Sequence, residues 1–233
     1  MIPKIIHYSW ISNDPYPEKI QKCIDTWKEK LPDYQFINWN RDTFDFNSCQ
    51  WLKEAYEDQN YAFCSDFLRI YAVYNYGGIW LDTDVEVLKS FNDLLDLPYF
   101  FGCEPMCGYA LFTELNVEAG VFGAEKNNPF LSVVLKWYET HSFNNIRSNI
   151  FNYTLPIVMN KCYNLLYVEG NINYITNDIK SNFKHDNTLF NIMHFSYFSP
   201  KFSTFDSKDV QLFVNEDTYT IHHFNNAWDK KYI

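Results

Sequence analysis

The sequence predicts an α/β fold, a mixed central sheet flanked by helices. Three observations carry that prediction. Strand-like and helix-like runs follow one another as β, α, β, α, α, β up to residue 87. The long apolar run "YAFCSDFLRIYAVYNYGG" (61–78) has helical spacing and stops at a glycine. A strand-like stretch with alternating acidic residues, "GGIWLDTDVEV" (77–87), begins at that same glycine pair.

Taken in order, "KIIHYSWI" (4–11) reads as a first buried strand closed by the "SNDPYP" loop. In "PEKIQKCIDTWKEKL" (17–31), Ile20, Ile24, Trp27 and Leu31 recur at helical spacing between polar residues. "YQFINWN" (34–40) alternates as a second strand, and a further helix covers 48–58. Beyond the acidic run, "YFFGCE" (99–104) and "EAGVFGAEK" (118–126) read as strands. "NPFLSVVLKWYETH" (128–141) is a helix with Pro129 in its first turn. The stretch 142–220, rich in Asn, Ser, Phe and Tyr, carries no assignable pattern. With no repeats and no linker composition, residues 1–233 are expected to form a single domain.

Composition narrows the function. Hydrophobic residues at 47% and charged residues at 21% describe a globular chain. Aromatic residues reach 20%, enough to build a ring-rich core and to permit a carbohydrate ligand. A net charge of −10 argues against nucleic acid as a partner, because phosphate contacts need a basic surface. The six cysteines include no CxxC pair, so buried free thiols are expected rather than a zinc site. The apolar stretch at the N-terminus is short and broken by His7 and Ser9, with neither a transmembrane span nor a signal cleavage pattern. The expectation is a cytoplasmic protein, with peripheral membrane association compatible with it.

The acidic run poses a question of charge. On a strand, Asp82, Asp84 and Glu86 would point to one face and repel. A D-x-D at a strand end supplies hard oxygen ligands suited to Mg²⁺ or Mn²⁺, whose remaining positions are filled by phosphate oxygens and water. Open α/β sheets bind ligands at the carboxyl ends of their strands, which is where Asp82 and Asp84 fall. On the preceding helix, Asp66 and Arg69 stand three apart and share a face. An exposed pair of that kind contributes little, but Phe67, Leu68, Ile70 and Tyr71 around it predict a buried helix, where a charge pair needs a reason. Near the other end, His222 and His223 are poor core material, and an imidazole can complete a site begun by carboxylates. Adjacent strand residues face opposite ways, so one of the two binds, with a slight preference for His222.

The stretch "SDFLRIYAVYNYGGIWLDTDVEVL" resembles the signature of the D-x-D sugar transferases of glycosyltransferase family 32. That group takes in capsular and surface-polysaccharide enzymes of bacteria and yeast initiating mannosyltransferases, and the catalytic domains of large clostridial glucosylating toxins look related. The pattern S-D-x-L-R-x-x-x-L-x-x-x-G-G-x-Y-x-D-x-D is matched from Ser65 to Asp84, with Val73 or Tyr74 where leucine is usual and Trp80 in place of tyrosine. "IPKIIHYSWI" is similar to the family's opening strand. "YTIHHFNNAW" (219–228) is similar to its closing H-H-x-x-x-S-W, with Ala227 in place of serine. "FNYTLPIV" (151–158) resembles its T-G-P turn, with Leu155 replacing the glycine.

The resemblance implies a GT-A nucleotide-diphosphosugar fold and transfer with retention of anomeric configuration. It makes Asp84 the direct metal ligand and gives Asp82 the ribose or the metal. Asp66 and Arg69 would hold the donor sugar's hydroxyls. Trp10 and Trp80 would belong to the nucleotide-binding set, Trp10 stacking the base. Trp228 would close over the diphosphate as a lid, in a segment 219–228 that donor and metal bring to order. If transfer runs by double displacement, Glu118 is the carboxylate to consider, though it and Asn116 serve equally as acceptor contacts. The implied donor is a UDP-hexose or GDP-mannose with Mn²⁺ or Mg²⁺, and the implied acceptor is a glycan, free or lipid-linked, in capsular polysaccharide synthesis by a bacterium. A toxin-like protein glucosyltransferase and a non-catalytic sugar-binding module are the alternatives. The intact Asp66, Arg69, Asp82 and Asp84 set weighs against the module.

Overall fold

The computed structural model describes residues 1–12, 14–104, 117–167, 171–203 and 210–224. Its first half runs β1 (Ile5–Tyr8), α1 (Glu18–Lys30), β2 (Gln35–Asn38), α2 (Gln50–Glu57), α3 (Tyr61–Tyr76), β3 (Gly78–Leu81) and β4 (Val85–Val87). Then come β5 (Tyr99–Cys103), β6 (Val117–Ala124), α4 (Pro129–Thr140), α5 (Phe143–Ile146) and α6 (Leu155–Leu166). The last part holds β7 (Ile172–Ile175), α7 (Ile179–Asn182), β8 (Phe190–Met193), β9 (Lys201–Ser203), β10 (Val210–Leu212) and β11 (Thr220–His222).

Seven of these strands form one mixed sheet in the order β2-β1-β3-β6-β5-β8-β7. β1 pairs parallel with β2 and β3, β6 runs antiparallel to both β3 and β5, and β8 is parallel to β5 and β7. Alternate residues supply two cores. Trp80, Phe101 and Phe122 face α2, α3, α4 and α6, whereas Ile79, Leu81 and Phe100 face α1 and the segment around Phe91 and Phe198. On α1, Ile20, Cys23, Ile24 and Trp27 make the buried stripe. Trp27 is fully buried and donates its indole N–H to the carbonyl of Val85 at 2.6 Å, which fixes the start of β4. Removing that ring from water contributes roughly 2–3 kcal/mol.

The glycine stop at the end of α3 is real. Gly77 has φ +68°, donates to Val73 at 2.9 Å, and a Cβ there would meet Lys126 N and Pro3 Cδ at 2.9 Å. Cys23, Cys49, Cys64 and Cys162 are buried free thiols and Cys103 is partly buried. Cys107 lies outside the described residues. No helix among those described is long and apolar enough to cross a membrane.

Three expectations need correction. The acidic run is not one strand: β3 ends at Leu81, the chain turns through Asp82–Asp84 with Val85 N donating to Asp82 O at 3.0 Å, and β4 joins a separate two-stranded sheet. The unassigned stretch 142–220 is structured in large part, and it supplies α6 and the sheet strands β7 and β8. The pattern of β7 and β8 was hidden because each strand is four residues long and flanked by polar loops. Part of the proposed lid is a strand, because β11 pairs antiparallel with β4 through Thr220↔Val87, Ile221↔Glu86 and His222↔Val85. Trp228 lies outside the described residues.

Candidate active site

Asp82 follows the C-terminal end of β3, and β6 runs back beside it, so residues at the start of β6 arrive at the same place. Asp82 N donates to Gly120 O at 2.8 Å. Next to this point the pairing of β5 with β6 slips, from Phe101↔Phe122 to Cys103↔Val117. Such irregularities re-aim side chains, and here the result is that Glu118 and Gly120 both face His222 of β11.

Each member of the acidic run has its own cationic or ionisable partner. Arg69 Nη1 lies 3.2 Å from Asp82, His222 Nε2 lies 3.3 Å from Asp84, and His223 Nε2 lies 3.1 Å from Glu86. The two histidines therefore face opposite ways, as strand geometry requires, and only His222 joins the D-x-D cluster. One ligand atom from each of Asp82, Asp84 and His222 lies within 4.8 Å of the other two. Two carboxylates and one imidazole form a donor set that fits a divalent cation.

His222 also meets Glu118 through its other nitrogen, Nδ1, at 3.0 Å. Burial opposes its charge, but Glu118 and Asp84 together raise the imidazole pKa well above its ordinary value. Glu118 is fully buried and both its oxygens are engaged: Oε1 accepts from His222 and from Gly120 N at 2.6 Å, and Oε2 accepts from the Ser199 hydroxyl. Burial pushes against its ionisation, yet His222 and these donors hold its pKa below the usual carboxylate range. Neighbouring Glu104 is pushed the other way, by burial and then by the charge of Glu118.

Arg69 is the hub behind the cluster. Its Nη1 donates to Ala119 O at 2.6 Å and to Asp82 at 3.2 Å, and its Nη2 lies 3.3 Å from Asp66. The guanidinium sits 5.5 Å from the centre of the Trp80 ring. Trp80 itself has no exposed surface, and its indole N–H donates to Asp82 Oδ1 at 2.7 Å. The expected nucleotide contact of Trp80 is thus replaced by an inward role, since a residue with a core-facing position on β3 orients Asp82 from behind.

Asp66 has no accessible surface, and neither its carboxylate oxygens nor the Tyr138 hydroxyl has a hydrogen-bond partner. Burial raises the Asp66 pKa to about 7, against the pull of Arg69. Trp10, at the exit of β1, is partly buried; its backbone N–H donates to Asn38 and its indole to Asp14 O, both at 2.9 Å. Asn116 lies outside the described residues. Sequence reasoning missed Gly120 and Ser199. The first had a signal, because a residue two places from Glu118 on a strand shares its face; the second, far along an unpatterned stretch, had none.

The fold is of the GT-A type seen in solved glycosyltransferases, and part of the chain is similar to the D-x-D sugar-transferase family. The family model described as a glycosyltransferase sugar-binding region containing DXD motif matches residues 17–101. The chain is 31% identical over 163 residues to inositol phosphoceramide mannosyltransferase 3 of Schizosaccharomyces pombe, across 66% of this chain and 40% of that protein. It is 29% identical over 206 residues to the uncharacterized glycosyltransferase L373 of Acanthamoeba polyphaga mimivirus, across 82% of this chain and 76% of that one. The solved PaToxG glycosyltransferase superposes with a TM-score of 0.53 at 22% identity, over 70% of this chain and 69% of that one. The yeast relative is thus matched over less than half its length.

Proposed function

We propose that this chain transfers a sugar, with retention, from a nucleotide-diphosphate donor to a glycan acceptor, using Mn²⁺ or Mg²⁺ held by Asp82, Asp84 and His222. The convergence of those three side chains at the C-terminal end of β3 carries the reading. When bound, the cation neutralises charge on the leaving diphosphate. Arg69 and Trp80 hold Asp82 from behind, so its carboxylate stays oriented towards the cluster. Trp10 follows β1, which runs parallel to β3, and in this reading it stacks on the base. Asp66, ion-paired with Arg69 at 3.3 Å, keeps acceptor capacity that a sugar hydroxyl would take up. With both oxygens of Glu118 engaged, a single active-site encounter without a covalent glycosyl intermediate is the simpler route.

The name of the yeast relative supports a mannose-bearing donor and a lipid-linked acceptor. These stand in the proposal beside a UDP-hexose and a free glycan, and a cytoplasmic site of action with peripheral membrane contact belongs to the same proposal. A bacterial capsular setting has no counterpart in that relative or in the viral one. Calorimetry with UDP and with GDP, each in Mn²⁺ and in chelator, tests the core of the reading. Binding that needs the metal is expected, and equal affinity in chelator would remove the cation from it. A thermal-shift series of UDP- and GDP-sugars then ranks the donors.

A further inference from the structure

A carboxylate in the middle of a protein is costly unless it is paired and hydrogen-bonded. Glu118 meets that cost with three donors, and they are not a random set. Gly120 N comes from its own strand, the Ser199 hydroxyl from the segment after β8, and His222 Nδ1 from β11. Ser199 is itself fully buried and is anchored through its N–H to Phe195 O at 2.8 Å. Thr220, the first residue of β11, donates to Phe198 O at 2.7 Å, so the strand bearing the histidine and the segment bearing the serine are tied together.

Gly120 shows how closely the parts fit. A Cβ at this position would lie 2.7 Å from His222 Cε1, 2.9 Å from Nδ1 and 2.8 Å from Glu118 Oε1. Only glycine lets the imidazole and the carboxylate lie against the strand together. With Nδ1 held by Glu118, the ring is turned so that Nε2 faces Asp84. Histidines that bind metals commonly give their other nitrogen to a carboxylate, which sets ring orientation and raises basicity.

We propose that Glu118, seated by Ser199 and Gly120, is the positioning residue that aims His222 Nε2 at the cation, and that it forms no bond to substrate. This rests on the reading of Asp82, Asp84 and His222 as metal ligands. It assigns the buried acid a place behind the metal rather than beside the anomeric carbon.

The test is Mn²⁺ binding to the full chain without nucleotide, followed by electron paramagnetic resonance, with the nitrogen modulation of a bound imidazole as a second readout. Wild-type protein should bind Mn²⁺ and show nitrogen coupling, and Asp84→Asn should lose most of the affinity. Glu118→Gln should weaken binding by roughly 10–100-fold and diminish the nitrogen coupling. Ser199→Ala, which alters no charge, should give a smaller loss in the same direction with the folded state retained. Should Glu118→Gln fail to fold, Ser199→Ala decides. Wild-type affinity and undiminished coupling in either folded variant, with transfer abolished in Glu118→Gln, would overturn the proposal and place Glu118 at the substrate. Absence of Mn²⁺ binding by the wild type would instead overturn the metal reading and this inference with it.

Discussion

Arg69 and Asp82 are joined across two elements: the guanidinium of α3 reaches 3.2 Å to the first carboxylate of the D-x-D turn. The same fork touches Asp66 at 3.3 Å and the Ala119 carbonyl at 2.6 Å. Removing one side of a buried pair leaves charge uncompensated and costs about 3–5 kcal/mol. Arg69→Ala should therefore lower the melting temperature by roughly 10 °C and abolish transfer. Arg69→Lys should keep the charge but lose the fork and fall between the two. Differential scanning calorimetry of both variants checks this, and a shift below about 2 °C for Arg69→Ala would contradict it.

Asp66 separates catalysis from stability. With its pKa raised to about 7 by burial, it is substantially protonated near neutrality, and asparagine is close in shape to that neutral form. Asp66→Asn should shift the melting temperature by only a few degrees, yet lower the transfer rate more than tenfold. Initial rates and melting curves on one preparation settle the matter. Retained activity with a large loss of stability would make Asp66 a structural partner of Arg69.

His7 gives a pH signature. Its Nε2–H donates to Gly77 O at 2.8 Å while Nδ1 accepts from the Trp39 indole at 3.1 Å, so the neutral ring is held from both sides. Burial lowers its pKa to about 4, against the opposing effect of the Gly77 carbonyl. Between pH 6.5 and 4 the unfolded chain binds the proton and the folded chain does not. The contribution is thus complete above pH 6.5 and falls with pH, by roughly 3 kcal/mol. Urea titrations from pH 4.5 to 7.5 should show this slope in the wild type and a shallower one in His7→Asn; parallel profiles would refute it.

β11 offers a test of order. Ile221 pairs with Glu86 on β4 and His223 N donates to Asp84 O at 3.1 Å, so these two amides should exchange slowly in ligand-free protein. Exchange as fast as an open loop would restore the ligand-ordered lid for this segment. Residues 225–233 make no part of the prediction.

What the sequence disclosed follows the strength of local patterns. The stripe of Ile20, Ile24 and Trp27 and the glycine stop at Gly77 are short-range features, and they foretold α1 and the end of α3 within a residue or two. Asp66, Arg69, Asp82, Asp84 and His222 were legible as candidates because charge in an apolar setting is conspicuous. Their arrangement was not. Reading Asp82, Asp84 and Glu86 as one face assumed a continuous strand, and the turn at Asp84 is decided by β11, which pairs from far along the chain. Ser199 matters only through a contact with Glu118, and no periodicity records such a contact.

His222 reaches Glu118 across 104 positions of sequence, which at ordinary rates of translation corresponds to roughly 5–20 s of synthesis. A nascent polypeptide leaving the ribosome can assemble the strands around β3 and β6 well before the histidine exists. Throughout that interval the acid on β6 lacks its ionic counterpart, so the interior cannot close around it at low cost. Of Asp82, Asp84 and His222, the three that lie together, the histidine is the last to be made. If Asp82, Asp84 and His222 hold the cation as proposed, metal capture follows the scaffold, and an interrupted translation product would carry the acidic turn without its histidine.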